Sequence, residues 1–289
     1  MLTSNSSLNL LSFAQGASLF DPADSLIPFT VEGVLVGWIK RSFAEHLDNW
    51  PEHFTVRPRG VGMLGHFETA EHRSAALNEV VEALASGGMI RGWRNETVTV
   101  AETFYAKPLF HIERAASRYF GLTMYASHLN GLTSKDGVMH MWIAKRAESK
   151  AIDPGRLDNM TAGRIARGYT PQQTLIKEAG EEAGLTVEMA STARAVGAVR
   201  CKYLVEEGLH QEIMFVHDVM LPTDFTPTNC DGEVAQFNCY AMDEILTMLE
   251  APAQYTVDAA LVTIDCLIRH GYIGSDRDDY LDLIHAVRP

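Results

Sequence analysis

The stretch from Gly163 to Leu185 constrains the fold more than any other part of this sequence, because it carries signals for both ends of one helix. Thr170 is a favourable N-cap residue, and Gln173, three positions later, completes the pattern of a capping box. Pro171 suits the first helical position, and Gly184 can adopt the left-handed conformation that ends a helix. The sequence therefore predicts a helix that begins at Pro171 and ends one residue before Gly184.

The predicted helix, Pro171 to Ala183, carries three carboxylates close together. Glu178, Glu181 and Glu182 stand at i, i+3 and i+4, and like charges at this spacing repel by about 0.2–0.5 kcal/mol per pair. The helix dipole also disfavours anions in the last turn. Lys177 is the nearby cation, and we expect its side chain to be directed elsewhere. A divalent cation would turn the repulsion into attraction, so the glutamates are candidate metal ligands, with a solvated acidic face as the alternative.

The overall charge limits the partners that this chain can bind. Its 289 residues carry a formal net charge of -13, which opposes binding to nucleic acid or anionic lipid unless a basic patch is present. We find no such patch, and no run of about 18 apolar residues that would predict a membrane span. The N-terminal segment lacks the basic start of a secretory signal. We therefore expect a cytoplasmic protein whose partner is a small molecule, and the sequence leaves the oligomeric state open.

The first part of the chain, which we place at residues 1–118, has the pattern of a small α/β domain. Its last predicted helix has apolar residues at the spacing of a buried stripe and stops at a pair of glycines. The predicted elements are a helix near Val31 to Leu47, extended segments at Phe54 to Arg57 and Gly62 to Phe67, and a helix from about Ala70 to Ala85.

The second part, residues 119–289, changes to strands and then helices. Its strand patterns are LTMYASHLNGL, VMHMWIAKR and IMFVHDVML, and a turn is predicted at Lys135-Asp136-Gly137 between the first two. Helices are predicted from Asp243 to Glu250 and from about Val257 to His270. Together with the acidic helix, this order predicts an α+β fold in which helices cover a mixed sheet.

The acidic stretch resembles the Nudix box, G-x5-E-x7-R-E-U-x-E-E-x-G-U, in which U is a bulky aliphatic residue. The positions that match in register are Gly163, Glu178, Glu181, Glu182, Gly184 and Leu185. Tyr169 stands where a glutamate is usual, Lys177 where an arginine is usual, and Ala179 where a bulky aliphatic residue is usual. These departures leave the three glutamates intact, although lysine lacks the planar fork with which arginine orients a carboxylate.

Further segments are similar, in the same order, to a Nudix subgroup related to thiamine pyrophosphokinase-like proteins of fungi and plants. A match over so many segments is more specific than the box alone. The resemblance implies a Nudix fold, a mixed sheet sandwiched between helices, preceded by a domain peculiar to the subgroup. It also implies hydrolysis of a small organic diphosphate, such as thiamine diphosphate or its oxidised forms. The segments are Arg91–Glu96, Pro108–Ala116, Phe120–Gly121, His128–Gly131, Trp142–Arg146, Pro154–Asn159, Asp231–Val234 and Leu267–Gly271.

The resemblance also implies roles for the acidic residues. Glu178 and Glu182 would be primary ligands of Mg²⁺, with Mn²⁺ as the alternative metal, and Glu181 a ligand or the base that orients water. The Ala162 carbonyl would be a further ligand. Glu233 is the alternative base, because Nudix proteins often place a distal acidic residue in such a segment, but it can equally be a surface turn carboxylate. Such oxygen ligands suit Mg²⁺, which neutralises phosphate charge during hydrolysis.

Four side chains are candidate substrate ligands. Lys145 and Arg146, at the end of a strand, can contact phosphate oxygens, although an edge-strand charge explains them equally well. Trp93 and Arg94 can contact an aromatic ring of the substrate, whereas a tryptophan after a glycine is more often a core residue. Because the first domain has no carboxylate cluster, we expect it to contribute to substrate choice rather than to metal chemistry.

Two rival functions stay open at this stage. A nucleotide-sugar or dinucleotide pyrophosphatase would use the same metal site with another pocket. A catalytically weak ligand-binding protein would keep the Nudix fold alone. The residues at Tyr169, Lys177 and Ala179 favour that second rival, and the intact glutamates argue against it.

Overall fold

The structure, a computed structural model, describes residues 4–288, with the backbone alone for residues 4–9. The prediction that the N-terminal segment is not a secretory signal therefore rests partly on residues outside this range. Within the described range no helix is both long and apolar enough to cross a bilayer. The helices are α1 (Ser4–Ser18), α2 (Arg41–Leu47), α3 (Ala70–Ser86), α4 (Pro171–Ala183), α5 (Val187–Ser191), α6 (Met242–Met248), α7 (Val257–Arg269) and α8 (Tyr280–Val287).

The strands of the described chain form three sheets. Short 3₁₀ helices lie at Pro22–Asp24, Arg114–Ala116 and Pro252–Gln254. The strands are β1 (Ile27–Val31), β2 (Val34–Ile39), β3 (Phe54–Arg57), β4 (Gly60–Met63), β5 (Thr97–Val100), β6 (Phe110–Glu113), β7 (Thr123–Lys135), β8 (Val138–Arg146), β9 (Leu157–Asp158), β10 (Thr161–Arg164), β11 (Arg194–Leu204), β12 (Leu209–Met220) and β13 (Val234–Ala241).

The N-terminal unit contains a four-stranded sheet with the strand order β2-β1-β4-β3. β1 and β4 are parallel, and the other neighbours are antiparallel. Helix α3 packs against β6 of the two-stranded sheet β5-β6. The Phe29 ring lies at the centre of the packing and contacts the rings of Phe54, Phe110 and Phe120. This unit therefore has its own hydrophobic core, as an α/β domain requires.

The helix predicted from Val31 to Leu47 is wrong over its first half, where the structure has the hairpin β1-β2. Glu32 and Gly33 both have positive φ angles, 53° and 79°, and form the tight turn of this hairpin. The alternating apolar residues that follow fit a strand as well as they fit a helix. The strand predicted at Phe54 to Arg57 is confirmed, and so is α3.

The second unit contains a mixed sheet with the strand order β11-β12-β7-β8-β13. β12 and β7 are parallel, and the other neighbours on this path are antiparallel. Helix α4 packs on one hydrophobic core of this unit, and α7 packs on the other. The α+β fold with a mixed sheet between helices is thereby confirmed. The predicted turn joins β7 to β8, with Asp136 and Gly137 at positive φ.

Helix α4 begins and ends where the sequence predicts. The Thr170 hydroxyl accepts the backbone N–H of Gln173, and the Gln173 side chain accepts the backbone N–H of Thr170, so the capping box is complete. Gly184 has a φ of 68° and ends the helix in the left-handed conformation. The side chains of Leu175, Ala179 and Ala183 are buried. This burial fixes the rotation of the helix and thereby the direction of its glutamates.

Helix α1 is an element that the sequence analysis does not predict. Its residues Leu10, Ala14 and Ala17 are buried in the hydrophobic core of the second unit, where the helix packs against α8 and β11. The described chain thus begins on the second unit, passes through the first, and returns. The domain boundary between residues 118 and 119 stays a prediction.

Strand β2 and the chain segment that leads into β7 meet at a close contact between backbones. A Cβ atom on Gly37, in β2, would lie 2.1 Å from the carbonyl oxygen of Phe120, and one on Gly121 would lie 2.0 Å from that of Trp38. The Trp38 backbone N–H donates a hydrogen bond to the Gly121 carbonyl at 3.3 Å. Since only glycine allows so close an approach, these two positions fix the distance between β2 and the chain segment that leads into β7.

Candidate functional site

Strand β10 and helix α4 approach most closely at Gly163. A Cβ atom on Gly163 would lie 2.3 Å from Cγ and 2.4 Å from Cδ of Glu178, so any larger residue would displace this side chain. The Glu178 side chain is 19% exposed. Burial raises the pKa of Glu178, although its hydrogen bond to Lys177 opposes the change. The glycine that opens the motif therefore positions the first glutamate of the helix.

Glu182 is the most buried glutamate of the three, at 8% exposure. Its Oε2 accepts the backbone N–H of Ala162, in β10, at 3.0 Å. Burial raises the pKa of Glu182 well above its ordinary value, and the Ala162 hydrogen bond only partly opposes it. The negative charges of Asp158, Glu178 and Glu233 raise it further. A cation is what would stabilise a buried carboxylate in such surroundings.

Lys177 contacts two of the glutamates, so the expectation that it is directed elsewhere is wrong. Its Nζ lies 3.1 Å from Oε1 of Glu178 and 2.6 Å from Oε2 of Glu181. The i, i+4 spacing of Lys177 and Glu181 brings these two side chains together. Desolvation works to lower the pKa of Lys177, but the hydrogen bonds outweigh it and raise the pKa. Among the described residues, Glu182 alone of the three has no cationic partner.

Glu233 lies immediately before β13 and faces the same cluster. Its charge contributes to the raised pKa of both Glu178 and Glu182. The Glu233 carboxylate forms an ion pair with Lys150, and its side chain is 48% exposed. Burial works to raise the pKa of Glu233, but the hydrogen bond and charge of Lys150 outweigh it and lower the pKa. Glu233 is thus an ionised carboxylate within electrostatic reach of the helix.

Glu178, Glu181 and Glu233 border a cleft of about 830 Å³ to which both units contribute. A volume of this size accommodates a small organic ligand. Helix α4 supplies Glu178 and Glu181 to its lining, while Glu182 accepts a hydrogen bond from Ala162, which also lines the cleft. The loop after β8 supplies residues 149–153. The remaining charged residues of the cleft are Arg94, Glu96, Arg114, Arg118, Arg146, Asp158, Arg164, Lys177, Glu212, Asp231, Glu233 and Asp258.

Arg146 lines this cleft, but its guanidinium is already engaged. Nη1 donates to Oδ2 of Asp158 at 2.8 Å, Nε to the Asp153 carbonyl at 3.1 Å, and Nη2 to the Ile152 carbonyl at 3.0 Å. Arg146 therefore braces the loop after β8. Its neighbour Lys145 is not among the described residues that border the cleft, because successive strand residues point to opposite faces.

The two candidates from the N-terminal unit are placed differently. Arg94 borders the cleft, whereas Trp93 does not, within the part of the chain that the structure describes. The Trp93 ring is 38% exposed, and its Nε1 donates to Oδ1 of Asn95 at 2.8 Å. Of the four predicted substrate ligands, the structure thus brings Arg94 and Arg146 together with the acidic helix.

Sequence reasoning missed several charged residues of the cleft. Arg164 forms an ion pair with Glu212 at 3.3 Å, and Arg114 forms one with Glu96 at 2.7 Å. Arg164 directly follows Gly163, so its place beside the motif is a usable signal. Arg114 has no comparable signal, because packing of the two units is what brings it to the cleft.

The residues present fit a hard divalent cation. Carboxylate oxygens are the ligands that Mg²⁺ prefers, and helix α4 provides them at Glu178, Glu181 and Glu182. The buried Glu182 has no cationic partner among the described residues, so a bound cation would stabilise the ionised form of its carboxyl group. A cation bound by Glu178 and Glu181 would replace the Lys177 ammonium that both carboxylates now contact.

Comparison with known families matches the chain in two parts. Residues 12–124 match a family described as a domain of unknown function (DUF4743). Residues 132–261 match the family described as the NUDIX domain, which includes the acidic helix and strand β10.

Three curated proteins are similar to this chain over most of their length. Nudix hydrolase 24, chloroplastic, of Arabidopsis thaliana is 37% identical over 264 residues, which cover 91% of this chain and 72% of that protein. Nudix hydrolase 20, chloroplastic, of the same plant is 35% identical over 271 residues, covering 91% and 72%. An uncharacterized protein of Saccharomyces cerevisiae is 31% identical over 237 residues, covering 75% and 68%. The similarity includes both matched parts of the chain.

Proposed function

Because this chain belongs to the Nudix hydrolase family, we propose that it hydrolyses a small organic diphosphate in the cleft beside α4, with Mg²⁺ held by Glu178, Glu181 and Glu182. Family membership makes the protein a hydrolase of pyrophosphate bonds. The observation that carries the proposal is the packing of two of these glutamates against strand β10, where Gly163 leaves room for Glu178 and the Ala162 N–H orients Glu182.

The acidic residues of the cleft and of helix α4 would have different roles in hydrolysis. The metal, when bound, would neutralise phosphate charge and lower the pKa of a bound water. Glu178 and Glu182 are the partly or fully buried carboxylates that would hold it. Glu181, whose side chain is 50% exposed, is accessible to water and can act as a ligand or as the base. Glu233 is the alternative base, because its carboxylate is ionised and borders the same cleft.

The organic part of the substrate is the finer element of this proposal. Resemblance of the wider segments to the thiamine-related subgroup supports thiamine diphosphate or its oxidised forms. A nucleotide sugar or a dinucleotide is the alternative, because the same metal site can serve another leaving group. We also propose that the protein is cytoplasmic and that its metal is Mg²⁺ rather than Mn²⁺.

A screen for hydrolysis, in which chromatography separates inorganic phosphate and phosphomonoester products, tests the proposal on the full chain. The compounds are thiamine diphosphate, oxidised thiamine diphosphate, sugar nucleotides and dinucleotides, each with and without millimolar Mg²⁺. We expect turnover that requires the metal and is lost in Glu182→Gln. Absence of hydrolysis across this panel, from folded protein with Mg²⁺ or Mn²⁺, would favour a ligand-binding role instead.

A further inference from the structure

Five arginines line the cleft beside the acidic helix, and three of them, Arg94, Arg114 and Arg164, come from separate elements. Arg94 lies in the segment before β5, Arg114 begins the 3₁₀ helix after β6, and Arg164 ends β10. Two of them therefore come from the N-terminal unit. Arg164 immediately follows Gly163, against which the Glu178 side chain packs. The chain has a net charge of -13, so a group of arginines around one cleft requires an explanation.

A buried carboxylate fixes the backbone that presents two of these arginines. Glu113 is 5% exposed, and its Oε1 accepts the backbone N–H of Arg94 at 3.0 Å and that of Ala115 at 3.2 Å. Its Oε2 accepts the backbone N–H of Glu96 at 3.0 Å. The Glu113 carboxylate thus binds main-chain donors of two separate segments and forms no ion pair with the Arg94 or Arg114 side chain.

The carboxylates near the three guanidiniums do not neutralise all of them. Arg114 pairs with Glu96, and Arg164 pairs with the buried Glu212. No carboxylate in the described part of the chain lies within ion-pair distance of the exposed Arg94 guanidinium. Burial lowers the pKa of Arg114, and although Glu96 opposes this, the charges of Arg164 and Arg94 lower it further. The charges of Arg94 and Arg164 therefore reach the Arg114 guanidinium.

We propose that Arg94, Arg114 and Arg164 form a subsite for the terminal phosphate of the substrate, and that Glu113 is its positioning residue. The inference rests on the proposed function, because it names which diphosphates the same cleft prefers. A terminal phosphate has three free oxygens and a second negative charge, whereas a phosphate inside a dinucleotide or nucleotide sugar has two free oxygens and a single charge. Several guanidinium forks match the first group better than the second.

A binding experiment tests the subsite independently of hydrolysis. The full chain is titrated calorimetrically at about pH 8, where phosphate is mainly a dianion because its second pKa is about 6, with inorganic phosphate and with dimethyl phosphate, a monoanion. Mg²⁺ is present throughout. We expect inorganic phosphate to bind at least about tenfold more tightly than dimethyl phosphate, because the free energy of one hydrogen bond between charged groups corresponds to about a tenfold change in affinity. Equal affinities would overturn the proposal.

The variants Arg114→Gln and Arg94→Gln locate the binding. Each should weaken inorganic phosphate binding about tenfold and leave dimethyl phosphate nearly unaffected. Arg91→Gln is the matched control, because Arg91 is an exposed arginine in the same segment that does not border this cleft. Arg94→Gln guards against misfolding of Arg114→Gln, because the Arg94 side chain is exposed and lacks a carboxylate partner. Unchanged phosphate affinity in folded Arg94→Gln and Arg114→Gln would place the phosphate elsewhere and refute the subsite.

Kinetics separate the subsite from the proposed function. ADP and ADP-ribose share a nucleoside and differ in whether the distal phosphate is free. For whichever compounds the parent hydrolyses, Glu113→Gln should raise KM for those with a free terminal phosphate and leave kcat and metal affinity unchanged. An equal loss of kcat on all compounds would give Glu113 a purely structural role. If the parent hydrolyses no diphosphate, the proposed function fails while the phosphate titrations still decide the subsite.

Discussion

Substitution of Gly163 by alanine should abolish most activity without unfolding the protein. The new Cβ would lie 2.3 Å from Cγ of Glu178, so the two carbons must separate by about 1.1 Å to reach ordinary van der Waals contact. Mg²⁺ requires near-ideal octahedral geometry, and a misplacement of about 1 Å can reduce turnover about a hundredfold. Because the obstructing atoms belong to a flexible side chain, we expect a loss of stability of at most about 1 kcal/mol.

Gly180→Ala provides the matched control on the same motif. A Cβ at Gly180 would meet only the Leu185 carbonyl oxygen, at 3.6 Å. Replacement of a glycine by alanine in the middle of a helix stabilises the helix by about 1 kcal/mol. This stabilisation corresponds to a rise in Tm of about 2 °C for a chain of this size. Turnover should stay at the level of the parent.

The two glycine variants are compared with the parent by Mg²⁺-dependent phosphate release and by thermal unfolding. The reasoning requires Gly163→Ala to lose turnover while it keeps a Tm near that of the parent, and Gly180→Ala to gain Tm alone. If Gly163→Ala retains the parent's turnover and Mg²⁺ dependence, Glu178 does not need the position that the structure gives it, and the assignment of the metal ligands is wrong.

Three further predictions concern single charges and the metal. Glu182→Gln should lower turnover at least about a hundredfold. It should leave the metal-free protein as stable as the parent or more stable, because burial disfavours the ionised carboxylate. Urea unfolding with EDTA measures this stability, and a large loss would contradict the expected effect. Titration with millimolar Mg²⁺ or Mn²⁺ should raise Tm, and no shift with or without a diphosphate would count against the site. Asp218 hydrogen-bonds Arg269, Asn130 and His270; burial works to raise the pKa of Asp218, but these partners outweigh it and lower the pKa. The Asp218 carboxylate therefore contributes its full stabilisation above about pH 4, and this contribution is lost as the pH falls through the lowered pKa. Asp218→Asn should destabilise the protein at pH 7, and its free energy of unfolding should depend less on pH below pH 4 than that of the parent.

Local signals explain which parts of the fold the sequence predicts. The bounds of α4 follow from Thr170, Gln173 and Gly184, whose effects act within one helical turn. The helix predicted after Val31 is wrong because short apolar runs fit either period, and the prediction does not include the Glu32-Gly33 turn. The sequence does not predict α1, because the burial of this helix depends on α8 and β11, which lie far away in the sequence.

The same distinction applies to the candidate site. The three glutamates could be found because one helix carries them at fixed spacing. The contact of Lys177 with Glu181 was also within reach, since i, i+4 pairs of opposite charge meet on a helix. Arg114 and its supporting carboxylate Glu113 could not be found, because their place in the cleft depends on how two separately folded cores meet.

The packing of α1 against α8 has a consequence for the order in which the protein can fold as it is synthesised. Domains usually fold as their residues leave the ribosome, and the N-terminal unit holds its core within residues 27–124. The sheet of the second unit must await β13, and Leu10, Ala14 and Ala17 are not fully covered until Leu283 and Ala286 arrive. During that interval, helix α1 exposes part of its apolar surface to chaperones and to other chains.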